Sequence, residues 1–270
     1  MPRNTIRAES GVRDLTDAER ADPLFVQSVE RAMKVLSAFH ETERPLSLSD
    51  ISERIKVDRS AVQRMVHTLR ALGYLRRDAN GQGIVPGLRL LDHTLDMLRL
   101  DPLVRRATPV LQELRGSVKE RVDLSLFDDL RVIYAVRLQT KRQTFNTTLV
   151  GHSVPTFCSS GGWAILSRLP EDQARDILER SDRRPFTPHT LGTPDEILEQ
   201  VRTARAEGYA LACNQILIGE IAAGFPVMDA DGRPVAAIHV AGSLSEWSAD
   251  EFISFVVPHA EAAARAISLY

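Results

Sequence analysis

The sequence predicts an α+β protein built in two parts, and three observations carry that prediction. Apolar residues recur at helical spacing as far as Leu72. A hairpin signal follows. From Val122 the spacing changes to the alternation of strands, with helical stretches between and after them. At 270 residues and 43% hydrophobic, the chain is long enough for two domains with real cores.

Residues 1–22 are polar and aperiodic, and are expected to form a flexible arm. Val26, Val29, Met33, Leu36 and Phe39 then mark a first helix over 26–40 with that stripe inward, broken by ETERP at 41–45. Ser47 with Asp50 three residues later reads as a capping box with Asp in place of Glu. It opens a short helix that turns Leu48, Ile51 and Ile55 inward. After a very short connection Asp58 caps a third helix. Val62, Met65, Val66, Leu69 and Leu72 form its apolar stripe, and Gly73 stands where a helix ends. Tyr74-Leu75 and Ile84-Val85 read as strands around an Asn80-Gly81 turn. Three helices and a hairpin make a winged helix-turn-helix over 23–86.

Charge gives that domain a purpose. The whole chain carries −2, yet Arg54 to Arg77 holds seven cations against one acid, Asp58, so +6 locally and −8 elsewhere. A basic block in an acidic protein is the footprint of a polyanion. Arg59, Ser60, Gln63, Arg64, His67 and Arg70 all fall on the side of the third helix opposite its apolar stripe. The second helix of such a motif enters the major groove of DNA. Arg59 and Arg64 suit guanine, Gln63 suits adenine, and Ser60 suits base or phosphate. His67, Arg70, Arg76 and Arg77 suit phosphates, and Ser47 joins the candidate set.

GLRLLDHTLDMLRLDP follows, a linker helix over 87–100. Leu88, Leu91, Leu95 and Leu98 are spaced 3, 4 and 3 apart, a seam on which the helix can pack against its twin or on its own domain. Asp101-Pro102 starts a new helix to about Val118, and a second domain over 101–270.

In that domain VDLSLF and RVIYAVR read as strands joined at Asp128-Asp129, with a third near 144–149. Helices are expected near 160–168, 171–180 and 194–207, the last opened by Thr193-Pro194 and closed by Gly208. Strands near 209–213 and 221–228, the turn DADG, the strand PVAAIHVAG and a final helix over 249–269 complete a mixed, mostly antiparallel sheet with helices packed on it. PTFCSSGGWAIL, a strand-to-helix junction of small residues, offers backbone N–H groups as an anion seat. An enzyme reading would make Cys158 or Ser159 a nucleophile and His152 or His239 its base. No GxSxG or triad pattern accompanies them. His239 alone in an apolar strand reads as a core histidine.

No apolar run approaches the ~20 residues of a membrane helix. The polar N-terminus lacks a signal-peptide core, so a cytoplasmic location is expected. Cys158 and Cys213, outside any CxxC pair, argue against a disulfide framework or a structural metal site. No metal or cofactor is expected.

The order of motifs from about Phe25 to Leu269 resembles the IclR family of bacterial transcriptional regulators. VQSVERAMKVLSAF, LSLSDISERIKVDRSAVQRMVHTLRALGYLRRD, GLRLLD, GHSVPTFCSSGGWAIL, FTPHTLGTPDEILEQVRTARAEGYAL and FPVMDADGRPVAAIHVAG carry the resemblance. It implies a GAF-like effector domain behind the DNA-binding one. It also implies a homodimer or homotetramer on a palindromic operator, controlled by a small organic or aromatic acid, as repressor or activator. The family's ligand pocket maps onto Ser160 and Gly161, on Ala212 with Cys213 beside it, on Glu220 and Ala222, and on His239 and Ala241. Asn146 and Val154 come from the preceding hairpin. Where the family often has an acid and a cysteine this chain has Ala212 and Ala222. His239 and Glu220 are therefore expected to pair in a roomier pocket. Gly83 takes the place of a basic residue at the wing tip. The alternatives are a metabolite-binding module with no working DNA domain, and a Cys/Ser hydrolase.

Overall fold

The computed structural model describes residues 15–40, 42–139 and 150–269, and divides into one unit running to Met97 and another from Leu98. Within the first unit, α1 (Asp17–Arg20) is a single turn capped reciprocally by Thr16 and Glu19, where the sequence suggested only an arm. Then come α2 (Gln27–Ser37), α3 (Leu48–Ile55), α4 (Arg59–Ala71), the hairpin β1 (Leu75–Arg77) and β2 (Ile84–Pro86), and α5 (Arg89–Leu100). Local chemistry sets the boundaries. Ser47 and Asp50 cap α3 reciprocally, with Ser47 N–H donating to Asp50 at 2.8 Å. Asp58 accepts from Ala61 N–H at 2.8 Å to start α4, and Gly73, at φ +82°, ends it. Leu46 adds an isolated antiparallel bridge to Ile84 at the hairpin edge, which the sequence did not reveal.

The core of this unit joins Val35, Phe39, Leu46, Ile51, Val62, Val66, Leu69, Leu75 and Ile84. Three sequence expectations are corrected. Val26, Val29 and Met33 on α2 face outward, because Val35, Ala38 and Phe39 take the inner side. Leu72 is exposed, since it caps α4 rather than continuing its stripe. Gly83 is not the wing tip: a Cβ there would lie 2.4 Å from Pro45 Cβ, so close packing requires the glycine. On α5, Leu88, Leu91 and Leu95 are exposed. The fourth leucine of the seam, Leu98, packs instead on the core of the second unit.

The second unit opens with α6 (Pro102–Val118), whose N–H groups of Leu103 and Val104 are capped by Asp101. The strands β3 (Arg121–Asp128), β4 (Arg131–Leu138), β5 (Ser153–Pro155), β6 (Ala210–Cys213), β7 (Glu220–Met228) and β8 (Pro234–Ser243) form one sheet in the order β5-β4-β3-β8-β7-β6. Every pairing is antiparallel, where the sequence allowed a mixed sheet. The strand expected near 144–149 lies outside the described residues; the third strand described is Ser153–Pro155.

The helices α7 (Ser160–Leu166), α8 (Glu171–Arg180), α9 (Pro194–Glu207) and α10 (Ala249–Ile267) cover the sheet. Strand alternation gives it two unlike faces. Val122 and Leu124, Ile221 and Ala223, and Ile238 and Val240 point to α6 and α10. The other face carries Arg121, Asp123, Ser125 and His239 toward α7, with α8 and α9 stacked beyond around Trp163 and Phe157.

Candidate functional site

In the first unit a groove of about 1070 Å³ runs between the start of α3, the outer face of α4 and the hairpin. Ser47, Arg59, Ser60, Gln63, Arg64, His67, Arg70 and Arg77 line it together. Arg76 does not, because neighbouring strand residues point to opposite faces and Arg77 takes the groove side. Among the described residues, Arg59, Arg64 and Arg70 enter no ion pair. Their charge is therefore available to a polyanion. Two of the polar groups are partly engaged: Ser60 Oγ donates to Asp58 at 2.7 Å, and Arg77 Nη1 donates to Gly81 O at 2.7 Å.

The second unit holds a cavity of about 20 Å³ on the polar face of its sheet. Cys158, Ser159, Ser160, Ala212, Glu220, Ala222 and His239 line it. Gly161 stands directly behind His239, where an added Cβ would lie 2.2 Å from the imidazole Cε1. Val154 is buried in the cluster with Val132 and Tyr134. Ala241 and Cys213 sit on β8 and β6 outside the lining, and Asn146 lies outside the described residues.

The structure adds Arg121, Tyr134, Gln215 and Ile216 to the lining. Arg121 Nε donates to Asp123 Oδ2 at 3.0 Å and its Nη2 to Glu220 Oε1 at 2.7 Å. Arg137 Nη2 approaches the same Asp123 oxygen at 3.2 Å and lies over the Tyr134 ring. The sequence held the signal for these groups: Arg121, Asp123 and Ser125 alternate with Val122 and Leu124, a polar face inside an apolar strand.

One expectation fails here. His239 does not pair with Glu220. Its Nε2 meets Ser125 Oγ at 2.7 Å and its Nδ1 meets Ser160 Oγ at 3.3 Å, while Glu220 is taken by Arg121. The Arg121–Glu220 bridge lies on the wall of the cavity. Burial, reinforced by the Arg137 and Arg121 charges, lowers the His239 pKa to about 3, so the ring is neutral. Burial pushes the Asp123 carboxyl up, against the pull of both arginines. It pushes the Cys158 thiol up as well, which removes the thiolate a nucleophile needs. Ser159 spends its side chain on the helix, accepting from Gly162 N–H at 3.1 Å.

A basic helix face beside a hairpin, in a chain with a second folded unit, is the arrangement of a winged helix-turn-helix regulator. The comparisons agree. Residues 28–79 match the IclR helix-turn-helix domain, and residues 96–269 match the C-terminal domain of the bacterial transcriptional regulator IclR. The chain belongs to the IclR family of transcriptional regulators. It is 29% identical over 245 residues to the Pca regulon regulatory protein of Pseudomonas putida, covering 90% of this chain and 84% of that one. A transcriptional regulator of Rhodococcus sp. RHA1 has a similar structure, with TM-score 0.76 and 26% identity over 90% of this chain and 97% of that one. The fold is also shared with an IclR homologue from Microbacterium hydrocarbonoxydans complexed with 4-hydroxybenzoate, at TM-score 0.71 and 22% identity over 89% and 97% of the two chains. No helix among the described residues is long and apolar enough to cross a membrane.

Proposed function

We propose that this regulator binds a specific, palindromic DNA operator as a homodimer or a dimer of dimers, and releases or reshapes that complex when an organic or aromatic acid enters its second unit. The observation that carries the reading is the groove, where the cations and amide of one helix face stand together with the hairpin and, among the described residues, Arg59, Arg64 and Arg70 enter no ion pair. In this reading Arg59, Ser60, Gln63 and Arg64 meet base edges. Ser47, His67, Arg70 and Arg77 meet phosphates, and Arg76, on the other face of β1, is left out. Exposed Leu88, Leu91 and Leu95 support pairing with a second copy. The 4-hydroxybenzoate held by a fold neighbour supports an acid as effector. Such a protein acts in the cytoplasm, where its DNA is, and has no catalytic duty.

The test compares Arg64→Ala and Arg70→Ala, both on the groove, in binding to the upstream DNA of the gene itself, across a salt series. Loss of a bidentate base contact costs ~1–3 kcal/mol and relaxes sequence choice at one position. Loss of a phosphate contact lowers affinity for all sequences and the salt slope by about 1. Arg64→Ala should behave in the first way and Arg70→Ala in the second. Unchanged binding by both variants would contradict the assignment.

A further inference from the structure

Arg121 and Glu220 line the cavity of the second unit, and Asp123 and Arg137 continue the same buried charge network behind it, in an incomplete arrangement. Side-chain exposure is 10% for Arg121, 0% for Asp123, 4% for Arg137 and 12% for Glu220. One oxygen, Asp123 Oδ2, serves both arginines. Asp123 Oδ1, Arg137 Nε and Arg137 Nη1 are buried with no hydrogen-bond partner among the described residues. Buried guanidinium edges without partners are costly, so the network that ends on Arg121 is short of negative charge and of acceptors.

The free space is about 20 Å³, which holds little more than a water molecule. A larger ligand must move something. Ala212 and Ala222 have no side chain to move. His239 is held by two hydroxyls and by Gly161. Gln215 is held by Leu191 N–H at 3.0 Å and by His189 O at 2.8 Å. Among the polar side chains of the lining, Glu220 is the least held. It begins β7, is the most exposed of the four charges, and touches Arg121 through a single 2.7 Å bridge. Swinging it out opens the cavity and leaves Arg121 and Arg137 sharing one carboxylate. The vacated site then carries a surplus positive charge in a dry environment. An uncharged ligand would leave that surplus in place; a carboxylate would neutralise it and suits the fork of a guanidinium.

We propose that the ligand of this cavity carries a carboxylate received by Arg121, and that Glu220 holds that place on Arg121 until the ligand displaces it. Glu220 is thus an internal competitor that sets the threshold for the effector. The inference rests on reading the second unit as an effector domain.

The experiment measures thermal unfolding of the full chain, as wild type, Glu220→Ala and Glu220→Gln, with increasing sodium acetate. Sodium chloride controls for ionic strength and acetamide for shape. Expected are a saturable rise in the midpoint with acetate in both variants, at least about tenfold lower half-saturation than in wild type, and no rise with acetamide. A tenfold change corresponds to ~1.4 kcal/mol. Glu220→Gln keeps the shape of the side chain and decides the matter if the alanine variant does not fold. Equal acetate responses in wild type and Glu220→Gln, or equal rescue by acetamide, would overturn the proposal. Upstream DNA retention by the wild-type preparation is measured alongside. DNA retained without an acetate difference defeats this inference alone, whereas loss of DNA retention defeats the regulator reading.

Discussion

His239 is an imidazole between two hydroxyls, under a helix that approaches too closely for any side chain at Gly161. Its environment fixes the sign of a pH effect. The folded-state pKa lies near 3 and the unfolded one near 6.5, so the unfolded chain binds the proton first. The stability contribution is complete above about pH 6.5 and is lost as pH falls toward 3, with a slope of at most ~1.4 kcal/mol per pH unit. Asp123 has the opposite sign, because its raised carboxyl takes a proton more readily in the folded state. Comparing wild type with His239→Gln isolates the histidine. In urea unfolding at pH 7 and pH 5, wild type should lose more stability than the variant. Parallel losses would contradict a neutral buried His239. The sequence read this residue correctly as a core histidine but paired it with the wrong partner. Which side chains meet across β3, β7 and β8 is set by register, and one sequence does not give register.

At the scale of elements, what was legible was local. Ser47 with Asp50, Thr193 with Pro194, Asn80-Gly81 and Gly208 each act within a few residues, and each helix or turn stands where they put it. What was missed depends on distant chain. The outward turn of Val26, Val29 and Met33 follows from which face of α2 meets the rest of the core. The buried row Arg121, Asp123 and Arg137 appears only once β3 lies between β4 and β8. The junction of β8 and α7 gives the element-scale prediction. Gly161→Ala would place a methyl 2.2 Å from His239 Cε1 and 3.1 Å from Ala237 Cβ. Overpacking of this kind costs ~1–3 kcal/mol. A chemical unfolding curve should show that loss, accompanied by a disturbed cavity. Gly116→Ala is the control, since nothing lies within 4 Å of its added Cβ. Equal stability of the two variants would contradict the packing described for α7.

At the scale of the whole molecule, the chain combines a cationic groove and a small charged cavity, joined in function only if binding at one changes the other. The exposed leucines of α5 give the assembly its prediction. Leu95→Glu places a charge in the apolar row of Leu88, Leu91 and Leu95. Sedimentation of the wild type should report a dimer or larger species, and of the variant a shift toward monomer. An unshifted variant would remove α5 from the interface. Coupling between ligand and DNA is a free energy shared by both sites, typically ~1–3 kcal/mol. The most direct measurement is therefore retention of the upstream DNA at fixed salt, with and without a series of aromatic and aliphatic carboxylic acids and their amides. The account predicts specific retention that at least one acid shifts by ~5–150-fold and its amide does not. A folded protein that retains no upstream DNA, or one whose retention responds alike to acids and amides, would contradict it.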